Sequence, residues 1–225
     1  MEVGSVGVGV NPLELSPFEV AGLAIQGFGA MQKPSEFAAL LHLVAESRPS
    51  RILEIGFGNG GTAWAWSKVP GVRRLILVNL PNGPWGGGND ENAVQYVANN
   101  CRCKIDYIAG NSQNAECLEA VESRLEKERK EGHPGTLDFL FIDGDHSAAG
   151  VAADYDLYKG LVRLGGLIAF HDIREHPEET GCKVKVFWDS LKAKLATEGK
   201  KFGEDVVEFI EEDDAPWGGI GVVRV

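Results

Sequence analysis

RILEIGFGNGGT, residues 51–62, is the stretch on which the architecture of this chain turns. Arg51 to Ile55 is a short apolar run without polar alternation, the pattern of a strand buried on both faces of a parallel sheet. It runs straight into glycines. Gly56 and Gly58 let the backbone turn sharply and approach a ligand with no Cβ in the way. A helix starting near Gly61 then offers unpaired N–H groups to polar ligand atoms. Gly56, Gly58 and Gly61 also fit GxGxxG, the dinucleotide pattern. The turn alone therefore has two readings.

Upstream, Phe37, Leu40, Leu41 and Val44 recur at helical spacing, which predicts an amphipathic helix over 35–47, with Ser35 after Pro34 as a capping residue. Residues 1–33 read as an N-terminal arm and lead-in, marked by Asn11-Pro12 and Ser16-Pro17. Downstream, a helix is expected from 61 to 68 and a second buried strand over 74–80 (RLILVNL). A loop follows with Trp85 and Gly86-Gly87-Gly88, read either as a flap over a site or as a plain surface loop. A helix near 90–100, a strand at 104–109, a helix at 113–131 and a strand at 137–142 (LDFLFI) come next. Helix 148–163, strand 166–170 and helix 183–197 complete the alternation. Residues 206–210 and 219–225 look like a closing antiparallel pair. Five strand–helix alternations in one chain argue for a parallel sheet with helices on both faces, as one domain over 34–225.

The 225 residues suit one α/β domain, and 44% hydrophobic with 24% charged residues is an ordinary globular balance. No apolar run is long enough to cross a bilayer, and the N-terminus lacks the layout of a signal peptide, so the expected location is cytoplasmic, away from membranes. The net charge is -11 with no basic block, which excludes a phosphate-neutralising surface and with it nucleic acid as a partner. Cys101, Cys103, Cys117 and Cys182 form no CxxC pair and read as reduced structural thiols. Homo-oligomerisation is left open.

Two features bear on the glycine turn. Glu54 lies two residues before the first glycine, as the ExGxGxG pattern of methyltransferases requires. The dinucleotide pattern wants an acid some 20 residues further on for the ribose diol, and the residue there is Asn79, a neutral acceptor and so a weaker one. The chain from about Pro34 to Val225 resembles the class I S-adenosylmethionine-dependent methyltransferases, within them the cephalosporin hydroxylase-like and macrolide-sugar O-methyltransferase group. The marks are Lys33-Pro34-Ser35-Glu36, LEIGFGNGGT at 53–62, FIDGDHS at 141–147, LVRLGGLIAFHDI at 161–173 and WGGIGVV at 217–223. The resemblance implies an α/β, Rossmann-like seven-stranded methyltransferase sheet, mostly parallel with an antiparallel last strand. It implies S-adenosylmethionine as cofactor and a small-molecule hydroxyl as substrate. It also implies an acid after the fourth strand that binds a divalent metal, and a His three residues later that acts as base.

Asp143-Gly144-Asp145-His146 matches that arrangement, and the physical logic is independent of it. Parallel α/β sheets bind ligands at the carboxyl ends of their strands. Asp143 and His146 lie at one such end, His171 and Asp172 at the next. A metal on the substrate oxygens lowers their pKa and aligns them, and a His near neutral pKa removes the proton. The expected metal ligands are Asp143, His171 and Asp172, and the expected catalytic residues are His146 and His171. The expected cofactor contacts are Glu54, Gly56, Gly58, Asn79, Asn111, Ser112 and Asp143. His171 stands where the related metal-dependent enzymes carry a carboxylate. It disfavours Mg²⁺ and admits Mn²⁺, Fe²⁺ or Zn²⁺, or it is itself the base with no metal present. Asn111 reads equally as an adenine contact and as an ordinary turn residue. Two rivals remain at this level: a silent module that binds S-adenosylmethionine, and a nicotinamide-dependent oxidoreductase.

Overall fold

The computed structural model describes residues 15–83, 90–212 and 215–225. The arm up to residue 14 and the Trp85–Gly88 stretch lie outside them. In chain order the elements are α1 (Pro17–Phe28), α2 (Pro34–Glu46), β1 (Arg51–Ile55), α3 (Gly61–Trp66), β2 (Arg74–Asn79), α4 (Asp90–Asn99) and β3 (Lys104–Ala109). There follow α5 (Ala115–Lys130), β4 (Leu137–Ile142), α6 (Ala148–Tyr158), β5 (Val162–His171), α7 (Val184–Thr197), β6 (Val206–Phe209) and β7 (Ile220–Arg224).

The seven strands form one sheet in the order β3-β2-β1-β4-β5-β7-β6. β1 pairs in parallel with β2 and β4, β2 with β3, and β4 with β5, whereas β7 runs antiparallel to both β5 and β6. This is the Rossmann-like methyltransferase sheet, with its closing antiparallel strand slotted between β5 and β6. Successive residues of each central strand face opposite sides. Ile52, Leu75, Leu77, Phe139 and Phe141 pack with α1–α4 on one side, and Leu53, Ile55, Ile76, Val78, Leu140 and Ile142 pack with α5–α7 on the other. Both sides are sealed, so β1, β2 and β4 are buried throughout. Each fully buried Leu, Ile or Phe contributes roughly 1.5–3 kcal/mol relative to exposure. Trp66 meets Phe37, Phe139 and Phe141 edge-on at centroid distances of 5.2, 5.2 and 5.4 Å, and Trp188 packs on Phe170, so both tryptophans lie against the sheet.

Three sequence expectations are corrected here. Ser16-Pro17, read as part of an arm, opens α1. The Ser16 hydroxyl accepts from Glu19 N–H, the Glu19 carboxylate accepts from Ser16 N–H, and Pro17 stands at the first helical position. Val20, Ala21 and Ala24 of α1 then join the core of α2 and α3. Ser35 does not cap α2. Lys33 occupies the cap position and Pro34 the first turn, while the Ser35 hydroxyl turns to Glu211 Oε2 at 2.5 Å. Finally, the helix expected over 148–163 ends at Tyr158, and β5 begins at Val162 rather than Gly166. A register shift between Leu137 and Phe139 absorbs the extra residues, helped by Gly165 at φ 74°.

Candidate active site

The strand order reverses between β1 and β4, and a crevice at the carboxyl ends of the strands is expected at such a switch point. A cavity of about 610 Å³ opens there. One part of its wall is the glycine turn, Gly56 to Asn59, with Asn79 at the end of β2 and Asn111, Ser112 and Gln113 after β3. The rest is Asp143 to His146 after β4, then His171, Asp172, His176 and Trp217, with Gly29 to Gln32 closing over from the α1–α2 loop. Three carboxylates line this cavity, those of Asp143, Asp145 and Asp172, and no Lys or Arg does so among the described residues.

The two turn glycines differ. A Cβ on Gly56 would stand 2.1 Å from the Asp143 carbonyl oxygen, so Gly56 exists to let β1 and the β4 loop touch. Gly58 faces open space, so it is the glycine that leaves room for a ligand. Glu54, expected among the cofactor contacts, is fully buried on β1 and is not part of the cavity wall. Neither of its carboxylate oxygens has a hydrogen-bond partner. Burial pushes its pKa up to about 8, against the pull of Thr62 and Trp66 and with help from the Asp143 charge. Asn111 Oδ1 accepts from Gln113 N–H at 2.9 Å, an Asx turn that shapes the cavity floor.

Asp143, His146, His171 and Asp172 converge as expected. His146 bridges the two carboxylates, with Nε2 3.4 Å from Asp143 Oδ1 and Nδ1 3.3 Å from Asp172 Oδ2. His171 Nδ1 lies 3.2 Å from Asp143 Oδ1 and 3.3 Å from Asp172 Oδ1. Burial alone would lower the imidazole pKa values. For His146, the contacts with Asp143 and Cys182 and the charges of Asp143 and Asp172 outweigh it and raise the value to about 10. His171 is likewise raised well above the ordinary range by the Asp143 and Asp172 charges. Conversely, both carboxylates are held below their ordinary values despite burial, chiefly by the charge of His171. The cluster therefore pairs two imidazoles with two carboxylates, and each carboxylate favours the protonated form of the ring beside it.

Asp172 sits at φ 62°, which costs a non-glycine residue roughly 1–3 kcal/mol. The β5–β7 connection holds it there: Gly218 N–H donates to Asp172 Oδ1 at 3.2 Å, and Ile173 and Arg174 N–H donate to the Gly219 and Gly218 carbonyls. Asp143, His171 and Asp172 bring one ligand atom each within 4.8 Å of one another, and His171 Nε2 is buried without a hydrogen-bond partner. Two oxygens and an imidazole nitrogen fit a divalent ion, and suit Mn²⁺, Fe²⁺ or Zn²⁺ better than Mg²⁺.

Several lining residues were not anticipated. Gln32 Nε2 donates to Asp143 Oδ2 at 2.9 Å from 111 residues away. His176 Nε2 stands 3.2 Å from Asp172 Oδ1. Trp217 meets the His171 ring edge-on at 6.4 Å, with Lys33 Nζ 5.2 Å from the indole. Only His176, four residues after Asp172 in a loop already rich in donors, carried a usable signal. No helix among the described residues is long and apolar enough to cross a membrane.

Residues 53–173, over half the chain, match the family described as "Methyltransferase domain". The probable caffeoyl-CoA O-methyltransferase 3 of Dictyostelium discoideum is 37% identical over 70 residues, which is 31% of this chain and 24% of that protein. The chain spans about a quarter or less of the curated relatives it matches. Among solved structures, the O-methyltransferase TomG from Streptomyces achromogenes, in complex with SAM, superposes with a TM-score of 0.59 at 19% identity, covering 94% of this chain and 90% of that one. The MycE methyltransferase of mycinamycin biosynthesis, in complex with Mg, SAH and mycinamycin VI, gives a TM-score of 0.59 at 16% identity over 93% of this chain and 54% of that one. At these identities the superpositions speak for the fold.

Proposed function

This chain belongs to the methyltransferase-domain family, and from that membership we propose that it is an S-adenosylmethionine-dependent O-methyltransferase acting on a hydroxyl of a small molecule. The observation that carries the reading is the charge of the cavity: among the described residues three carboxylates and no Lys or Arg line it. Such a wall offers a pyrophosphate no fixed cation, which argues for a sulfonium cofactor over a nicotinamide dinucleotide. Gly58 leaves open space beside the turn, and Asn79, Asn111 and Ser112 offer polar groups along the β2 and β3 ends, room and partners for a nucleoside.

When bound, S-adenosylmethionine supplies an electrophilic methyl group on a sulfonium. The chain's own part is to align the acceptor oxygen and take its proton. His146 Nε2, beside Asp143, is the proposed proton acceptor, with His171 as the alternative. His146 acts as a base only in its neutral form, which the neighbouring Asp143 and Asp172 charges disfavour. A divalent ion on Asp143, His171 and Asp172 would place positive charge beside those carboxylates, which removes the cause of the raised pKa. Trp217 and the Gly29–Gln32 loop line the same cavity and would flank the acceptor.

The test is calorimetric titration with S-adenosylhomocysteine, alone and with Mn²⁺ or Mg²⁺, beside NADH. Binding of S-adenosylhomocysteine and not of NADH is expected, and the reverse overturns the cofactor assignment. Anomalous scattering from a Mn²⁺-soaked crystal should place the ion on Asp143, His171 and Asp172. Metal elsewhere, with chelator-insensitive turnover, retires the metal and leaves a metal-free base mechanism.

A further inference from the structure

The inward face of α6 carries Gly150, Asp154 and Tyr158, spaced four apart and so stacked one above the other along the helix. All three act on the cavity floor between β3 and β4. A Cβ on Gly150 would lie 2.1 Å from the Asp145 carboxyl carbon, so its absence lets Asp145 tuck under the floor, where Gln113 Nε2 donates to it at 3.0 Å. Tyr158 donates its hydroxyl to the Ser112 carbonyl at 2.7 Å. Ser112 Oγ is 2.6 Å from Asp154 Oδ1. One helix thus grips a single cavity-lining serine at both its backbone and its side chain.

Asp154 is fully buried, and its second oxygen, Oδ2, has no hydrogen-bond partner. Among the described residues no Lys or Arg pairs with it. Burial is the main cause that pushes its pKa up to about 7, eased by Ser112 and aggravated by Asp145. An isolated buried acid of this kind is costly to keep. Among the described residues its one hydrogen-bond partner is Ser112.

Resting on the methyltransferase reading above, we infer that Asp154 is a positioning residue that sets the hydrogen-bond polarity of Ser112 toward the cofactor's base. A carboxylate can only accept, so the Ser112 hydroxyl spends its one hydrogen on Asp154. Ser112 Oγ then shows the cavity a lone pair. The ligand group that fits it is a donor, and the exocyclic amine of adenine is such a donor. A 6-oxo purine would set a carbonyl oxygen against that lone pair. Discrimination of this kind depends on leaving a buried polar group unmatched in the wrong complex.

The experiment compares two ligands, S-adenosylhomocysteine and S-inosylhomocysteine, by calorimetry above pH 7, where the carboxylate form of Asp154 predominates. The wild-type chain should prefer the adenosyl form by about tenfold, the worth of one hydrogen bond. Asp154→Asn keeps the shape but can donate to Ser112, freeing the serine hydrogen, so the preference should shrink or invert while the far-ultraviolet circular dichroism holds. In a Ser112→Ala background the same substitution should change nothing. Equal loss of both affinities, or an unchanged ratio, overturns the inference and assigns Asp154 to structure alone. Should Asp154→Asn fail to fold, the smaller Asp154→Ser is read in the same way. If the wild-type chain binds neither ligand, the methyltransferase reading itself falls and this inference with it.

Discussion

The two ends of the sheet both bury charge, and they neutralise it by different means. At the amino-terminal end of the strands the cations are built in. Asp138 receives Arg163 Nε at 2.6 Å, Arg51 Nη2 at 3.3 Å and the backbone N–H groups of Ser50 and Arg51 at 2.9 Å each. Arg74 reaches Asp106 at 2.6 Å and Glu128 at 2.8 Å. At the carboxyl-terminal end no arginine or lysine lines the cavity among the described residues, and the groups set against Asp143 and Asp172 are the imidazoles of His146 and His171. Arginine never gives up its charge in a protein, so the first arrangement is permanent. Imidazolium can, so the second is exchangeable for a cationic cofactor or a metal. Stability is invested at one end and responsiveness at the other.

The sharpest way to break this contrast is at His146. General-base assistance is worth about 10²–10⁴-fold, so His146→Ala should lower turnover by that factor and leave S-adenosylhomocysteine affinity nearly unchanged. Single-turnover rates and calorimetry read the two effects separately. If His146→Ala keeps full turnover and His171→Ala loses it, the two imidazoles exchange roles.

The mirror experiment is at the other end. Asp138→Ala strands Arg51, which is 3% exposed, without its counter-charge. Removing one partner of a buried pair typically costs about 3–5 kcal/mol. Urea unfolding should show a loss on that order, and cofactor affinity in the folded protein should stay within about twofold, a change too small to matter on the free-energy scale of one hydrogen bond. A large loss of affinity with little loss of stability would mean that the two ends are not separate in function.

Glu54 sharpens the comparison by a smaller effect. It is an acid at the responsive end with neither a cation nor a hydrogen bond. Its folded-state pKa of about 8 lies above the model-compound value of 4.5. Between those values the unfolded chain releases the proton and the folded chain keeps it, so unfolding gains as pH rises. The contribution is fully present below 4.5 and is lost as pH climbs through about 8. Cofactor-free protein should lose stability across that window, on the order of 1.36 kcal/mol per unit of pKa difference, and Glu54→Gln should flatten the slope. An identical slope in both proteins would show that Glu54 is solvated or paired in solution.

Much of the fold was legible from local patterns. Buried runs such as RILEI and LDFLFI, the glycines after β1 and the spacing of Phe37, Leu40, Leu41 and Val44 each lie within one element. Helix α1 is legible too, since Ser16-Pro17-Phe18-Glu19, in the stretch taken for an arm, is a capping signature. The 174–182 loop and its His176 are less so, because contacts from far along the chain draw that loop to the site, among them Arg174 N–H to the Gly218 carbonyl at 3.0 Å and Lys183 N–H to the His146 carbonyl at 2.8 Å.

What the sequence determined by itself was therefore the order and type of the elements, the glycine turn, and the meeting of Asp143, His146, His171 and Asp172 at neighbouring strand ends. Backbone sterics and side-chain periodicity act over a few residues, and strand ends in an α/β sheet have a fixed sense. What only the tertiary structure decided was the electrostatic state of each group. Asp154 and Asp156 stand two apart in one helix and look alike in sequence, yet Asp156 is in contact with Lys159 at the surface while Asp154 is fully buried against Ser112. Gln32 and Asp143 are 111 residues apart and hydrogen-bonded. Burial and distance set the strength of every charge, and neither is a property of a residue's neighbours in the chain.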